Sequence, residues 1–519
     1  MTETPTVIIG AGVGGLASAA LLSARGVPVI VLEKELAAGG KIRQLDVDES
    51  PIDAGPTVFT MGPVIDAIFE SAGASTGDYL TLSPADTLAR HAWDEHGHLD
   101  LFSDHEKSVE AIGDFAGAKA AAGFRSFSQE AKKIFDILDR PFLQDSKTYP
   151  PGLMWRIGLW RMGSLLAIRP YESLWKVLGK HFTDPRLRQL FGRYTTYCGS
   201  SPFKTPATLM LIAHVESQGV WKIDGGMNAL AKGLEAVARK NGARFRYGAK
   251  VDEIRVTRGR VSGVRLESGE EISTQSVICN ADPSALGAGM FGREAQKAAS
   301  AVRPKDRSLS AMVWLAKGKA QGFPLGHHNV FFSGDYPAEF RDIGAGCVPA
   351  GPTVYLCALD HGPDNTPDAA TSQRFQIIVN APANGDTHTY TAEEKDQCTS
   401  KMLSRLRACG LELETPLPHQ LVTPNDFSKL FPATGGALYG RASHGWAASF
   451  LRPGCRTRIR GLYCAGGATH PGAGVPMAAL SGKLASEAVL SDRISTRSSR
   501  RRDTAGGMSM RSAMTGPSG

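Results

Sequence analysis

Residues 6–33 read TVIIGAGVGGLASAALLSARGVPVIVLE, and this stretch decides the fold. The β-branched run Thr6–Ile9 predicts a strand, the small-residue run Leu16–Arg25 predicts a helix, and Pro28–Leu32 predicts a second strand. The glycine-rich turn Gly10–Gly15 joins the first strand to the helix. Because strand, turn, helix and strand follow one another within about 30 residues, the stretch predicts the first βαβ unit of an α/β fold.

The turn carries glycines in the spacing G-x-G-x-x-G. The first permits the tight turn, the second lets the backbone approach a pyrophosphate, and the third lets the helix pack close to the sheet. Glu33 ends the second strand and can accept hydrogen bonds from a ribose, whereas it would repel the 2′-phosphate of NADP. We therefore predict a dinucleotide site formed by Gly10, Gly12, Gly14, Gly15, Glu33 and Lys34. The alternative is a glycine-rich turn of an unrelated α/β fold.

The next segment distinguishes FAD from NAD. Gly39-Gly40-Lys41 follows the second strand closely, and Asp53-Ala54-Gly55-Pro56 follows in turn. An NAD dehydrogenase would normally continue into a third βα unit, whereas a second glycine pair here resembles flavoproteins in which this turn runs along the cofactor. This pattern favours FAD and adds Gly40, Lys41, Gly55 and Pro56 to the predicted site. The alternative for the glycine pair is an ordinary loop.

A second glycine-rich motif lies near the C-terminus. Residues 461–485 read GLYCAGGATHPGAGVPMAALSGKLA, which predicts a strand, a loop and a helix beginning near Pro476. The positive end of that helix would face the flavin ring. We therefore predict cofactor contacts from Gly466, Gly467, Gly474, Val475, Pro476 and Met477. His470 in this loop is either a hydrogen-bond donor near the flavin or a loop residue that the backbone satisfies.

Composition narrows the classes of function. The chain has 519 residues, 42% of them hydrophobic and 21% charged, as in ordinary globular proteins. The net charge of +7 comes largely from arginines after residue 490, so we predict no nucleic-acid partner and a disordered tail over 491–519. The eight cysteines form no CxxC pair and no cluster at metal-ligand spacing, which predicts reduced thiols, a cytosolic location and no metal site.

One stretch suggests contact with a membrane. No window of about 20 residues is apolar enough to span a bilayer, and no signal peptide is expected, so a soluble or peripheral protein is predicted. Residues 150–181 carry Trp155, Trp160 and Trp175 among Leu, Ile and Met, with charges that are nearly all basic. This composition is typical of an amphipathic surface, and the alternative is a pair of core helices.

The two glycine-rich motifs together resemble the bacterial phytoene desaturase family of FAD-dependent carotenoid desaturases. The specific part is THPGAG at Thr469–Gly474, and the resemblance spans about residues 5–490. Within the family, the chain is most similar to the 1-hydroxycarotenoid 3,4-desaturases (methoxyneurosporene or hydroxyneurosporene dehydrogenases). The segments that carry this similarity are 184–202, 219–230 and 430–453. Ala465–Ala468 lacks the acid that related flavoproteins place there, a lack that this family shares.

The resemblance implies an α/β fold with a Rossmann-like FAD-binding domain of the amine-oxidase and GDI type, and an inserted α+β substrate domain. We expect residues 1–75, 220–300 and 415–490 to form the FAD domain. Residues 76–219 and 301–414 would then form the substrate and membrane-contact domain.

The implied reaction is oxidation of a carotenoid CH–CH bond, at C-3,4 of a 1-hydroxycarotenoid such as 1-hydroxyneurosporene. Oxygen or a quinone would take the electrons, and the protein would lie on the cytoplasmic side of the inner or intracytoplasmic membrane. The catalytic side chains stay unassigned, with His470 and His444 as weak candidates; a substrate hydroxyl could meet His214, Tyr194, Tyr197 or His444. The alternatives are a phytoene desaturase, a polyene isomerase or saturase, and a flavin-free carrier of prenylated cargo.

Overall fold

A computed structural model describes residues 4–94, 97–146, 152, 155, 167–362 and 366–505. Its strands are β1 Thr6–Ile9, β2 Val29–Leu32, β3 Gln44–Val47, β4 Ser50–Asp53, β5 Leu82–Pro84, β6 Thr87–Ala92, β7 His98–Phe102, β8 Trp221–Ile223, β9 Arg244–Arg246, β10 Val251–Thr257, β11 Arg260–Leu266, β12 Glu271–Ser273, β13 Ser276–Cys279, β14 Ser310–Gly318, β15 Ala320–Gln321, β16 His328–Phe331, β17 Val354–Ala358, β18 Gln373–Ala381, β19 Glu412–Leu413, β20 His419–Val422 and β21 Leu462–Cys464.

The α-helices are α1 Val13–Ala24, α2 Gly62–Ser71, α3 His105–Ala116, α4 Ala118–Leu138, α5 Leu174–His181, α6 Pro185–Gly192, α7 Leu211–Ser217, α8 Asn228–Lys240, α9 Pro283–Gly287, α10 Tyr336–Gly344, α11 Ala392–Ala408, α12 Pro424–Leu430, α13 Ala448–Leu451 and α14 Val475–Ala505. A 3₁₀ turn over Arg193–Cys198 follows α6 directly. In the described part of the chain, no helix is both long and apolar enough to cross a membrane.

A five-stranded parallel sheet, in the order β21-β13-β1-β2-β9, contains the first glycine motif's two flanking strands, β1 and β2. Successive side chains of a strand point to opposite faces, so Ile8 belongs to an apolar cluster that also contains residues of helices α1, α2, α8 and α14. Val7 and Ile9 face the other way, toward the antiparallel sheet β10-β11-β12. The central sheet is therefore covered on both sides, as its all-apolar β1 requires.

A second sheet has seven strands, in the order β20-β14-β18-β17-β16-β6-β7. One face of β14, with Met312 and Trp314, packs against α11 in an apolar cluster. The opposite face, with Val313 and Leu315, packs against Ile52 of the β3–β4 hairpin. Because that hairpin leads into Gly55 and Pro56, the seven-stranded sheet lies against the predicted cofactor turn.

The predicted boundaries of the two domains stay a prediction. All five strands of the parallel sheet fall within 1–75, 220–300 and 415–490. Strand β20 also falls within 415–490, but it pairs with β14 in the seven-stranded sheet.

The chain beyond residue 490 differs from the expected disordered tail, because α14 continues to Ala505. Asp492 accepts hydrogen bonds from the Tyr463 hydroxyl and from Arg456, both at 2.6 Å. Arg493 donates to the Thr6 hydroxyl at 3.3 Å. These contacts anchor the helix to the parallel sheet beyond its last apolar turn, and residues 506–519 lie outside the described residues.

Much of the stretch 150–181 also lies outside the described residues. Its described C-terminal part contains α5, where Leu174, Val177 and Leu178 are buried. Trp155 is described and is 75% exposed.

Candidate active site

The N-terminus of α1 lies where the carboxyl ends of β1 and β13 meet. The sheet order reverses at this point, since β1 pairs with β2 on one side and with β13 on the other. Ligands of doubly wound sheets bind in the crevice at such a position. Gly12 precedes the helix without a side-chain cap, so the first backbone N–H groups of α1 are available to an anion.

The glycines of the first turn leave no room for side chains. Gly10 has a φ of +95°, a left-handed conformation that favours glycine. A Cβ on Gly15 would lie 2.2 Å from the Gly10 carbonyl oxygen. A Cβ on Gly14 would lie 2.7 Å from the backbone nitrogen of Gly466. The first turn and the C-terminal motif, more than 400 residues apart in sequence, are therefore in direct contact.

Glu33 is buried at the carboxyl end of β2. Its carboxylate accepts hydrogen bonds from the backbone N–H of Ala11 at 2.6 Å and of Glu35 at 2.9 Å. These bonds hold the carboxylate against the glycine turn, where a ribose would reach its remaining lone pairs. Lys34 points elsewhere, forming an ion pair with Glu35 at 3.1 Å.

The second glycine pair packs against the first turn. The Gly39 N–H donates to the Ala11 carbonyl oxygen at 2.9 Å, and a Cβ on Gly40 would lie 3.1 Å from the Gly12 Cα. A Cβ on Gly55 would lie only 1.7 Å from the Lys41 carbonyl oxygen. The two predicted segments therefore cross each other beside Gly12, and Pro56 is exposed at the end of the crossing.

Charged side chains from distant segments meet near this crossing. Lys41 donates to the Leu438 carbonyl oxygen at 2.5 Å. Burial lowers the pKa of Lys41, the neighbouring Asp282 opposes this shift, and Arg452 adds to it. The Arg452 guanidinium donates to the carbonyl oxygens of Tyr439 at 2.9 Å and of Gly467 at 3.3 Å. Arg452 thus anchors the C-terminal glycine loop.

The C-terminal loop connects β21 to α14 and lies on α1. The Gly466 N–H donates to the Ser481 hydroxyl at 2.7 Å, and the Ser18 hydroxyl donates to the Gly482 carbonyl oxygen at 2.9 Å. Gly474 has a φ of +110° immediately before α14 begins. The predicted contact residues Val475, Pro476 and Met477 form the first turn of α14, so they lie at its positive end.

The two histidine candidates bind backbone groups. His470 is buried, and its Nε2 lies 3.0 Å from the Asp145 carbonyl oxygen. The Nε2 of His444 accepts from the Ser201 N–H at 3.0 Å. Burial lowers the pKa of His444 to about 4, so this ring is neutral at pH 7. Whether His470 also donates a hydrogen bond near the flavin stays a prediction.

Asn280 and Asp282 are site residues that the sequence analysis does not identify. Asn280 follows β13, and a Cβ on Gly12 would lie 2.8 Å from its Nδ2. Its Oδ1 and the Oδ2 of Asp282 are buried and have no hydrogen-bond partner among the described residues. Two orphaned acceptors beside a cradle of glycines fit a polar cofactor lying across the turn. The signal in the sequence is their position after a buried strand.

A second group of polar side chains includes Tyr355 of the seven-stranded sheet. We call it the Arg193 cluster, made of Arg193, Tyr194, Tyr197, Glu216 and Tyr355. Glu216 accepts hydrogen bonds from the hydroxyls of Tyr194 and, at 2.7 Å, of Tyr197. The Arg193 guanidinium lies over the rings of Tyr197 and Tyr355, at 5.2 and 5.6 Å from their centroids. Of the candidates for a substrate hydroxyl, the structure brings Tyr194 and Tyr197 together and leaves His214 beside Gln218, outside the cluster.

The Arg193 cluster is connected to the cofactor turn. The Tyr355 hydroxyl lies 2.7 Å from the Thr57 Oγ1 and 2.8 Å from the His328 Nδ1. Thr57 follows Pro56 and lines a cavity of about 470 Å³, which Asp53, Gly226 and His327 also line. The polar side chains therefore reach from the Gly55–Thr57 turn to the seven-stranded sheet, to which Tyr355 belongs.

Among the described residues, potential metal ligands gather at His327, His328 and Cys357, whose ligand atoms all lie within 4.8 Å of one another. They already have protein partners, since the His327 Nδ1 lies 2.8 Å from the His361 carbonyl oxygen and His328 contacts Tyr355. The absence of a metal site stays a prediction.

Comparison with known proteins identifies the family. Residues 13–490 match the family described as flavin containing amine oxidoreductase. The chain is 48% identical to a hydroxyneurosporene desaturase of Rubrivivax gelatinosus, with 98% of each chain covered. It is 44% identical to a hydroxyneurosporene desaturase of Cereibacter sphaeroides, covering 94% of this chain and 97% of that one.

A solved structure has the same fold. It is an oxidoreductase from Methanosarcina mazei, with a TM-score of 0.58, 17% identity and coverage of 94% of this chain and 100% of that one. The predicted α/β flavoprotein fold and the FAD cofactor are confirmed. The chain belongs to the flavin-containing amine oxidoreductase family, within its carotenoid desaturase branch, and is an FAD-dependent oxidoreductase.

Proposed function

We propose that this enzyme desaturates the C-3,4 bond of a 1-hydroxycarotenoid such as 1-hydroxyneurosporene. The observation that carries the proposal is an apolar cluster that reaches the cofactor site. Its buried members include Phe124, Phe127 and Phe191, and Val58 and Met477 pack against it. Val58 follows the Gly55–Thr57 turn and Met477 belongs to the first turn of α14, so an apolar substrate in this cluster would meet the flavin.

The protein's part in the reaction is to orient the substrate and exclude water. FAD, when bound, would accept the hydride that leaves one carbon, and the proton that leaves the next carbon would pass to bulk solvent. Aromatic rings contact one another along the proposed path, with the Phe191 centroid 4.7 Å from that of Phe127 in a tilted pair and 4.8 Å from that of Phe182 in a stacked pair. Holding a long polyene against such rings fixes its reacting bond, and fixed geometry lowers the barrier without a dedicated acid or base. We therefore assign no catalytic side chain.

We also propose that the enzyme works as a peripheral protein on the cytoplasmic side of the inner or intracytoplasmic membrane. Tyr171 and Trp446 are 78% and 49% exposed, and their ring centroids lie 5.9 Å apart. Leu451 on α13 is 59% exposed, and its neighbour Phe450 packs on Phe142 beside His470. Exposed aromatic residues favour a membrane interface, and here they lie next to the predicted flavin loop. The electron acceptor would be oxygen or a quinone.

The decisive experiment is incubation of the FAD-loaded enzyme with 1-hydroxyneurosporene in liposomes. We expect the product to gain one conjugated double bond, seen as a red-shifted absorption spectrum, and to lose two hydrogens by mass. Conversion of phytoene instead would identify a phytoene desaturase, and a product of unchanged mass or gained hydrogens would identify an isomerase or saturase. The flavin-free carrier is disfavoured, because the chain belongs to a flavin-containing family.

A further inference from the structure

Arg193 is a buried cation that forms no direct ion pair with a carboxylate among the described residues, although Glu216 lies near enough to raise its pKa. It is 9% exposed, and no carboxylate oxygen lies within 4.0 Å of its guanidinium in the part of the chain that the structure describes. Its neighbours are the rings of Tyr197 and Tyr355. A guanidinium has five N–H donors, and burying it costs free energy unless acceptors reach them. This arrangement therefore leaves donors available to a ligand oxygen.

The other members of the Arg193 cluster offer hydrogen-bond acceptors to a ligand. The hydroxyls of Tyr194 and Tyr197 both direct their hydrogens to Glu216, so their oxygens keep lone pairs for a further donor. An alcohol both accepts and donates a hydrogen bond. Here the Arg193 guanidinium would be the donor to the alcohol, and a phenol oxygen would be the acceptor. A carboxylate would be repelled by Glu216, and a ketone would leave the phenol oxygens unused.

The position of the Arg193 cluster suits an alcohol close to the reacting bond. The Tyr355 hydroxyl contacts Thr57, which follows the cofactor turn. In a 1-hydroxycarotenoid, the C-3,4 bond begins only two bonds from the carbon that bears the hydroxyl. A hydroxyl site must therefore lie next to the flavin. Apolar residues such as Phe191 and Phe332 surround the cluster, so a polyene end without oxygen would leave the Arg193 donors unpaired in apolar surroundings.

We infer that the Arg193 cluster binds the hydroxyl group of the substrate and selects the hydroxylated end of the polyene for desaturation. This inference rests on the proposed function and adds residues that determine specificity. Arg193 would donate to the hydroxyl oxygen, and the oxygen of Tyr197 would accept its hydrogen. Glu216 acts as a positioning residue, because it fixes the orientation of the phenol hydroxyls.

The test compares two substrates in liposomes, 1-hydroxyneurosporene and the same polyene without its hydroxyl group. We expect Tyr197→Phe to lower kcat/KM for the hydroxylated substrate about tenfold, the effect of one buried hydrogen bond, and Arg193→Met to lower it about 100-fold because a charged donor is lost. We expect much smaller losses with the unhydroxylated polyene, so that the ratio of the kcat/KM values for the two substrates falls in both variants. Tyr390→Phe is the matched control, since its hydroxyl bonds Asn384 at 3.0 Å in the remote α11 region.

The two proposals fail differently. If the variants lower the rates with both substrates equally, the hydroxyl inference is overturned while carotenoid desaturation stands. If the unmodified enzyme with bound flavin converts neither polyene, the proposed function fails, and the inference with it. Should Arg193→Met not fold, Tyr197→Phe carries the test, because it removes a single oxygen atom from a ring whose position the cluster retains.

Discussion

Glu33 illustrates how a single carboxylate can be tested apart from the glycine turn beside it. Its oxygens already bond the N–H groups of Ala11 and Glu35, so the side chain is held in place before any cofactor arrives. We predict that Glu33→Gln weakens FAD binding about tenfold or more, because a charged acceptor for the ribose hydroxyls becomes a neutral one. Titration of the flavin-free protein with FAD, followed by flavin fluorescence, measures this change.

The matched control for this prediction is Glu35→Gln. Glu35 lies two residues away in the same loop and is exposed, with its carboxylate paired to Lys34. We expect FAD to bind this variant as it binds the unmodified protein. Equal losses in both variants would mean that general charge near the turn matters, rather than a directed contact from Glu33.

Single residues also show which parts of the site a sequence can reveal. The local sequence reveals the roles of Glu33 and Gly12, because a strand, a turn and a helix surround them within one βαβ unit. Asn280 does not, since it matters only through its contact with Gly12, which lies in a distant part of the chain. Arg452 lies 15 residues before Gly467, but no periodic pattern predicts the hydrogen bond between them. No pattern around Arg193 predicts that its guanidinium is buried between two rings.

Helix α1 packs on α14, and this packing joins the two glycine motifs. A Cβ on Gly14 would lie 2.7 Å from the Gly466 nitrogen and 3.0 Å from the Ala478 carbonyl oxygen. Both contacts are backbone atoms, which cannot rotate away as a side chain can. We predict that Gly14→Ala destabilises the protein by about 1–3 kcal/mol, the usual effect of overpacking, and also lowers the flavin content after purification.

Thermal unfolding and the ratio of flavin to protein absorbance measure the two effects of Gly14→Ala. The control is Gly334→Ala, where an added Cβ meets no atom within 4 Å and the backbone needs no left-handed conformation. An unchanged melting temperature and full flavin content in Gly14→Ala would show that the two helices separate easily, and would weaken the argument for a closed cofactor site.

Strands and helices with strong local patterns are predicted well from this sequence, whereas a turn that divides a strand-like stretch is not. Strand β1 has the predicted bounds, and α14 begins at Val475, next to the predicted start near Pro476. The stretch 244–257 is divided into β9 and β10, because Gly248 turns the chain with a φ of +62°. The two pieces then join different sheets, which depends on tertiary pairing that no periodicity reveals.

Buried titratable groups in several parts of the molecule make the free energy of unfolding depend on pH. Burial lowers the pKa of His91 to about 3 and the pKa values of His327 and His444 to about 4. Each histidine stays neutral in the folded protein and takes up a proton on unfolding once the pH falls below about 6.5. The histidines therefore contribute fully to the free energy of unfolding above pH 6.5, and this contribution is lost as the pH falls toward 4.

Glu339 acts in the opposite sense over part of the same range. Burial raises its pKa to about 7, so the folded protein holds a proton that the unfolded chain releases above about pH 4.5. Its contribution is present at low pH and is lost as the pH rises through 7. The effects of the histidines and of Glu339 partly cancel in the total free energy of unfolding. The contribution of one group is therefore best measured as the difference between the unmodified protein and a variant that lacks this group.

His444→Gln isolates one of these groups, because glutamine can still accept the hydrogen bond from the Ser201 N–H while it does not titrate. We predict that, as the pH falls from 7 to 5, the free energy of unfolding decreases less in the variant than in the unmodified protein. The difference should reach about 2 kcal/mol at pH 5, since one proton corresponds to about 1.4 kcal/mol per pH unit below pH 6.5. Urea unfolding at a series of pH values measures it, and parallel curves for the two proteins would mean that His444 titrates normally in the fold.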